Sequence, residues 1–459
     1  MLNSNNSSGS SLDTSNLAQQ SFLKSYQLTT YLQNSDPLST GSFVGRSSLQ
    51  AQDTTTPTIP TIKLPLAGSN PNPNPYLTSA AIAPDFNGDG KTDKVWVDQT
   101  TGELKVRLMN GSTTLAEASN KDNGNVKGTL GAIQLTPTTI SKIGDFNGDG
   151  KTDLLLRDQA TGINQIMLMN GVDAPTVVAL DKVDPAWTPL IGDFNGDRKT
   201  DIFWRNAKTG ENAIWTVDAT NKEKPITSAT VIDTVDTTWT PTMVDFDGNG
   251  KTDIFWRNTA GQNSAWFMDG TTATKQAVDT VDPNWTFSVA DFNGDYKTDL
   301  LWRNNQTGEN VIWETNSVLP NNVFFSGKAL KTLDLNWQSS IGDFNGDGKT
   351  DIFWHNNATG ENTSWLMDST TVSKETFLTA TPTTSKASFG DFNGDGKTDI
   401  YWRDYAGGAD QVWTTNGDGT TVTATPIADQ DKLSPIKLGA DGNPILGADG
   451  KPISQWITF

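Results

Sequence analysis

One nine-residue string, D-F-N-G-D-G-K-T-D with small variations, recurs seven times along this chain, and nothing else in the sequence constrains the fold as tightly. The first aspartates are Asp85, Asp145, Asp193, Asp245, Asp291, Asp343 and Asp391. A recurrence every ~50 residues is the mark of a propeller, a solenoid or a domain array. The unit Trp285–Asn316 shows what lies between the loops. One strand enters the loop (Phe287, Val289), and a second leaves it as Asp299-Leu300-Leu301-Trp302-Arg303. A turn whose Gly308 suits a positive φ leads to a third strand, Asn310–Trp313. A fourth, Ala329–Leu333, precedes the next unit. Adjacent apolar residues in the second strand, such as Ile202, Phe203 and Trp204, point to opposite faces of a sheet, so both faces need cover. A small sheet stacked between two like itself is a propeller blade. The expected fold is therefore all-β: a seven-bladed β-propeller of four-stranded antiparallel blades, with one calcium loop in each blade.

The 16 tryptophans fit that fold. Trp204, Trp256, Trp302, Trp354 and Trp402 share one repeat position. Trp215, Trp266, Trp313, Trp365 and Trp413 share another. Large rings at fixed positions supply blade-to-blade packing, each burying roughly 150–250 Å².

The loop itself reads as a cage for a hard cation. Such ions take six to eight oxygen ligands. Oxygens at positions 1, 3 and 5 converge only if the chain curls, which glycines at positions 4 and 6 permit. The position-7 carbonyl and the position-9 aspartate complete the set. The first loop offers Asp85, Asn87, Asp89, the backbone of Lys91, and Asp93. The second offers Asp145, Asn147, Asp149, Lys151 and Asp153. The third has Asp193, Asn195, Asp197, Lys199 and Asp201. The fourth exchanges two donors: Asp245, Asp247, Asn249, Lys251 and Asp253. The fifth has Asp291, Asn293, Asp295, Lys297 and Asp299. Asp343, Asn345, Asp347, Lys349 and Asp351 form the sixth, and Asp391, Asn393, Asp395, Lys397 and Asp399 the seventh. Three carboxylates in one short turn repel unless a cation offsets them. Up to seven Ca²⁺ ions are expected. Mg²⁺ prefers fewer protein ligands and more water. An EF-hand is excluded, since it needs a following helix and a glutamate at position 12, where Trp96 and its counterparts stand. Arg198 and Tyr296 replace glycine at position 6, and weaker binding is expected in those two loops.

Composition narrows the function classes. The formal charge is -19, but the loops hold 21 of the 53 acidic residues, leaving 32 acids against 34 bases. There is no basic stripe for nucleic acid. No apolar run is long enough for a membrane span. Cysteine is absent and His355 is the one histidine, which excludes thiolate chemistry and nearly excludes histidine triads. Residues 1–56 read as a flexible polar leader, with a short helix near Leu17–Leu32. Residues 57–77 read as a proline-rich extended segment, 78–430 as the propeller, and 431–459 as a turn-rich tail suited to closing the ring. The N-terminus has no basic and apolar signal pattern, so export by a route without an N-terminal signal peptide is expected.

At these loops and strands the sequence resembles the FG-GAP/VCBS repeat family, over about residues 78 to 428. That resemblance implies a seven-bladed propeller with calcium sites, as in integrin α-subunit heads, bacterial surface proteins and certain mushroom lectins. Calcium loops of this kind fit a calcium-rich environment, so an extracellular or cell-surface location is expected, with a glycan or cell-surface protein as ligand. Candidate ligand-binding residues are Trp187, Trp239, Trp285 and Trp337, each in a D-x-x-W context, with Arg205, Arg257 and Arg303 nearby. The expected function is an adhesion or carbohydrate-binding module. The alternative is a structural coat, sheath or filament component in which calcium only holds the fold. An enzyme is not expected: His355 fills a slot held elsewhere by arginine, and Glu211, Glu309 and Glu361 sit in hairpin turns.

Overall fold

The computed structural model describes residues 84–98, 103–121, 129–131, 135–136, 139–319, 322–404, 410–416, 418, 422–427 and 456–458. The expected leader, its helix, the proline-rich segment and the LGADG turns of the tail lie outside them.

The described residues form seven four-stranded sheets from 28 strands. Blade one holds β1 (Lys94–Asp98), β2 (Glu103–Asn110) and β3 (Thr113–Ser119). Blade two holds β4 (Thr139–Gly144), β5 (Asp153–Asp158), β6 (Asn164–Leu168) and β7 (Thr176–Leu180). Blade three holds β8 (Trp187–Gly192), β9 (Asp201–Asn206), β10 (Asn212–Val217) and β11 (Ile226–Ile232). Blade four holds β12 (Trp239–Val244), β13 (Asp253–Asn258), β14 (Asn263–Asp269) and β15 (Thr272–Val278). Blade five holds β16 (Trp285–Ala290), β17 (Asp299–Asn304), β18 (Asn310–Leu319) and β19 (Asn322–Leu330). Blade six holds β20 (Trp337–Gly342), β21 (Asp351–Asn356), β22 (Asn362–Asp368) and β23 (Thr371–Leu378). Blade seven holds β24 (Ser385–Gly390), β25 (Asp399–Asp404), β26 (Asp410–Thr415) and β27 (Val422–Pro426). β28 (Trp456–Thr458) returns to blade one.

The strands meander antiparallel within each blade. First strands of neighbouring blades approach one another, β4 with β8 and β8 with β12, which places them nearest the axis. Fourth strands form the rim and leave most side chains in solvent in β11 (four of seven) and β23 (five of eight). Second strands are covered on both faces, and all six residues of β9 and β21 are buried. The seventh and first blades share a cluster of Trp96, Met109, Phe392, Tyr401, Val412 and Ile427, so the ring is closed by packing.

Closure also uses the chain's far end. β28 pairs with β1, Trp456 opposite Asp98 and Thr458 opposite Trp96. In blade three the same register sets Trp187 opposite Asn206, five residues past the loop's last aspartate. Trp456-Ile457-Thr458 thus fills the first-strand place of blade one. The sequence reading placed ring closure in this tail without identifying the strand. Two boundaries differ from expectation in blade five. β18 runs on to Leu319, and β19 ends at Leu330, leaving Lys331–Leu333 in the connection to blade six.

The turn after the second strand admits only glycine. Gly308 has φ 75°, and a β-carbon there would overlap the Leu333 carbonyl oxygen of the connection to the next blade. Gly162, Gly210, Gly261 and Gly360 meet the connection in the same way. Gly308→Ala combines backbone strain with this overlap and is expected to cost about 2–4 kcal/mol, read as a lowered denaturant midpoint. A wild-type midpoint would show that the turn can move away from the connection.

Candidate metal loops and blade junctions

Each loop folds around its first aspartate. Asp85 accepts at Oδ1 from the N–H of Gly88 (2.7 Å) and Asp89 (3.2 Å), and at Oδ2 from Gly90 (2.8 Å). Asn87 accepts from the Asp89 N–H and Asp89 from the Lys91 N–H. The other six loops repeat the contacts to the first aspartate. Arg198 and Tyr296 keep them too, each with φ 66°. These two residues adopt the left-handed conformation that costs a side chain roughly 1–2 kcal/mol.

The ninth residue is different in kind. Asp93 is fully buried, accepting at Oδ2 from the Phe86 N–H (2.8 Å) and at Oδ1 from the Met109 N–H (2.9 Å). It ties the loop to the third strand of its blade. Burial, with Asp85 and Asp89 pushing the same way, raises its pKa to about 7 against the opposing N–H bonds. Asp153, Asp201 and Asp399 are likewise raised to about 7, and Asp299 and Asp351 to about 8. Negative charge here is undercompensated, which is the condition a bound cation relieves. The donors are all hard oxygens, so the chemistry fits calcium. Convergence is greatest in the fourth loop, where Asp245, Asp247 and Asp253 offer oxygens within 4.8 Å of one another. Among the described residues no other three acids meet that closely. In all seven loops the fifth side chain turns back to the position-7 N–H.

A contact the sequence reading missed links each loop to the next. The N–H of Thr152 donates to the Asp85 carbonyl (2.7 Å), and the Asp85 N–H donates to Thr152 Oγ1 (2.9 Å). The backbone bond recurs from Thr200 to Asp145, Thr252 to Asp193, Thr298 to Asp245, Thr350 to Asp291 and Thr398 to Asp343. Thr92 to Asp391 closes the circle (2.6 Å). The signal was the threonine at position 8 of all seven strings.

The candidate tryptophans are packed at the junctions. Trp285 is buried, while Trp187, Trp239 and Trp337 keep part of their surface exposed against the apolar clusters of their junctions. The arginines are structural. Arg205 lies over the Trp256 ring (4.8 Å), and its guanidinium donates to Asn212 Oδ1 and to the carbonyls of Asp236 and Trp239. Arg257 and Arg303 repeat this over Trp302 and Trp354. The donors of Arg205, Arg257 and Arg303 are directed to these junction partners, and Arg303 also lines the cleft between blades five and six. His355 takes the same slot, with Nδ1 2.8 Å from Asn362 Oδ1 and its ring against Trp402. A cleft of about 380 Å³ opens between β16–β17 and β20. It is lined by Phe287, Leu335 and Trp337, with Thr286, Asn305, Gln338 and Asn357 around them.

These features define a seven-bladed propeller built on aspartate-loop repeats. The chain belongs to the FG-GAP-like repeat family, whose sequence model matches residues 85–156, 145–204, 193–256, 245–302, 291–354 and 343–402. No curated protein matches it in sequence. Among solved structures it is similar to a lectin from Agrocybe aegerita described as specifically recognising non-reducing terminal N-acetylglucosamine. The TM-score is 0.55 and identity 15%, over 76% of this chain and 94% of the lectin. A post-proline cleaving enzyme from Rickettsia typhi is similar at TM-score 0.43 and 10% identity, over 80% of this chain and 57% of the enzyme. A putative 6-phosphogluconolactonase from Bacteroides uniformis follows at 0.38 and 12%, over 66% and 87%. These likenesses concern the fold alone, and one fold hosts many functions.

Two predictions separate the roles within a loop. Asp299→Ala strands the N–H groups of Phe292 and Thr315 and is expected to cost about 2–4 kcal/mol even in chelator, with a further loss in calcium. Asp295→Ala should lower the melting temperature only in calcium; equal losses in chelator would show that Asp295 serves the fold alone. The second concerns pH. A carboxylate whose folded pKa exceeds its ordinary 3.8 lends stability that is complete below that value and lost as pH rises through the folded one. Protein kept in chelator should therefore melt higher at pH 5 than at pH 8, and calcium should flatten or reverse the slope. A chelated protein whose melting temperature climbs from pH 5 to 8 would contradict it.

Proposed function

We propose that this protein is a calcium-holding propeller that binds carbohydrate and acts as an adhesion or glycan-recognition module outside the cell. The cleft between blades five and six carries the reading. A sugar ring presents an apolar face and a hydroxyl edge. Trp337, half-buried, and Leu335, 55% exposed, offer apolar surface. Thr286, Asn305, Gln338 and Asn357 offer hydroxyl and amide groups at the rim. The third residue of the first strand is small in blade six, as it also is in blades two (Ser141) and seven (Ala387). It is Pro189, Pro241 or Phe287 in blades three to five but Ser339 in blade six. The likeness to the Agrocybe aegerita lectin supports the fold's suitability for such sites.

Calcium enters as the partner of the loops. The first, third, fifth and ninth side chains and the position-7 carbonyl would hold it, as in Asp291, Asn293, Asp295, Asp299 and the backbone of Lys297. Bound there, it supplies positive charge to carboxylates that burial has destabilised. Loops of this sort suit calcium at the concentrations found outside cells, where binding in the ~10⁻⁴–10⁻³ M range suffices. That supports an extracellular or cell-surface location. A cell-surface protein bearing glycans would be the natural partner.

The test is a glycan array with the full chain in calcium and again in excess chelator. Specific binding is expected in calcium, reduced at least ~10-fold by Trp337→Ala, as for an aromatic anchor worth about 2 kcal/mol. No binding by the wild-type chain, with calcium still raising the melting temperature, would overturn the carbohydrate reading and leave a structural surface component.

A further inference from the structure

Six blades put an aliphatic residue directly after the loop: Leu154, Ile202, Ile254, Leu300, Ile352 and Ile400. Blade one puts Lys94 there, only 3% exposed. The cross-strand partner of that residue is Met167, Trp215, Trp266, Trp313, Trp365 or Trp413. In blade one it is Arg107, 1% exposed. Two cations thus occupy positions that are otherwise apolar. Each costs several kcal/mol to desolvate unless partnered.

The partners lie largely across the junction in blade seven, which departs from the repeat at the facing positions. Lys94 Nζ donates to Ser388 Oγ (2.7 Å) and stands 4.9 Å from the centre of the Tyr401 ring. Tyr401 occupies the position of Phe203, Phe255 and Phe353, and its added hydroxyl donates to Asp410 Oδ2 (2.7 Å). Asp410 occupies the position of Asn164, Asn212, Asn263, Asn310 and Asn362, and Arg403 donates to it (3.3 Å). Its side chain is 8% exposed; burial raises its pKa, and the charges of Arg403, Arg107 and Lys94 and the Tyr401 hydroxyl oppose that rise. Arg107 is anchored within its own blade by Glu117 (2.6 Å) and lies over Trp96 (4.9 Å). A single buried carboxylate on one blade therefore faces cations on both.

We propose that this ionic seam is the recognition surface that makes blades one and seven each other's partners, so that the ring closes with all seven blades in order. The other junctions repeat one arrangement, an arginine laid over the next blade's tryptophan amid apolar packing, and similar faces can dock out of order, within one chain or between two. A blade-one face carrying Lys94 is penalised against any of those faces, because Lys94 would be buried without Ser388, Tyr401 and Asp410, whereas Arg107 keeps Glu117. Burial of ionic groups in exchange for correct pairing is the best-attested use of such pairs.

The test uses the full chain in saturating calcium. Asp410→Asn should lower the melting temperature, and adding Lys94→Ile should recover at least half of the loss. The fourfold variant Lys94→Ile, Arg107→Trp, Tyr401→Phe, Asp410→Asn gives the seam the residues of the other blades. It should melt no lower than wild type, yet on refolding from denaturant yield at most half the monomer by size exclusion with light scattering. Wild-type monomer yield from that variant would overturn the proposal. So would a loss from Asp410→Asn that is the same whether Lys94 is kept or replaced by isoleucine. The double variant decides the matter if the fourfold variant does not fold.

Discussion

The structure depends on one dipeptide, the Thr-Asp that ends every loop. The threonine faces backwards: its N–H reaches the carbonyl of the first aspartate of the preceding loop in all seven blades. The aspartate faces inwards: its two oxygens take the N–H of the loop's own phenylalanine and an N–H of the third strand. One residue joins blade to blade and its neighbour joins loop to blade. All these groups are buried backbone donors and acceptors, which would be costly to leave unpaired. Because the bonds are to backbone, they survive changes elsewhere in the loop. Arg198 and Tyr296 are accommodated in the same curl that glycine makes.

This division of labour locates where function can vary. The guanidinium groups and indole rings at the junctions are repeated because they carry packing. Arg205, Arg257 and Arg303 direct their donors to turns and connections, and each covers a tryptophan of the next blade. Replacing any of them disturbs two blades. The residues around Trp337 carry no such burden. Leu335, Gln338 and Ser339 differ from their counterparts in blades three to five, and the cleft opens where they differ. In a repeat fold, the positions that break the repeat without disturbing the ladder are free to meet a ligand.

Much of this was legible in the sequence, for physical reasons. A strand apolar on both faces demands cover on both sides, and seven recurring loops count the blades. His355 was legible as a repeat variation because its position in the string equals that of Arg303. What was not legible depends on contacts far apart in the chain. Nothing local marks Trp456–Thr458 as a strand of blade one; its pairing partner lies about 360 residues away, and only its register with Trp187 reveals the equivalence. The arginines were ambiguous for a related reason. An arginine beside a tryptophan suits a ligand and a packed junction equally, and only the carbonyls of the next blade's connection decide between them. The threonine latch was visible as a repeated letter, but its meaning required the neighbouring loop.

Ring closure is where a repeat protein must cease to be a repeat. An open stack of similar sheets presents two exposed faces, and each matches every other face well enough to pair wrongly or with a second chain. Here the departures gather at one junction. The first strand of blade one comes from the distant end of the chain, and the latch runs from Thr92 back to Asp391. The apolar pair of the other blades becomes Lys94 and Arg107, facing Tyr401 and Asp410. The strand and the latch supply bonds that any blade could make. The lysine after the loop and the carboxylate facing it supply a distinction that the repeated arginine junctions lack, since a buried cation tolerates few neighbours. The backbone ladder recurs at every junction, whereas the residues that set one junction apart are concentrated at one seam.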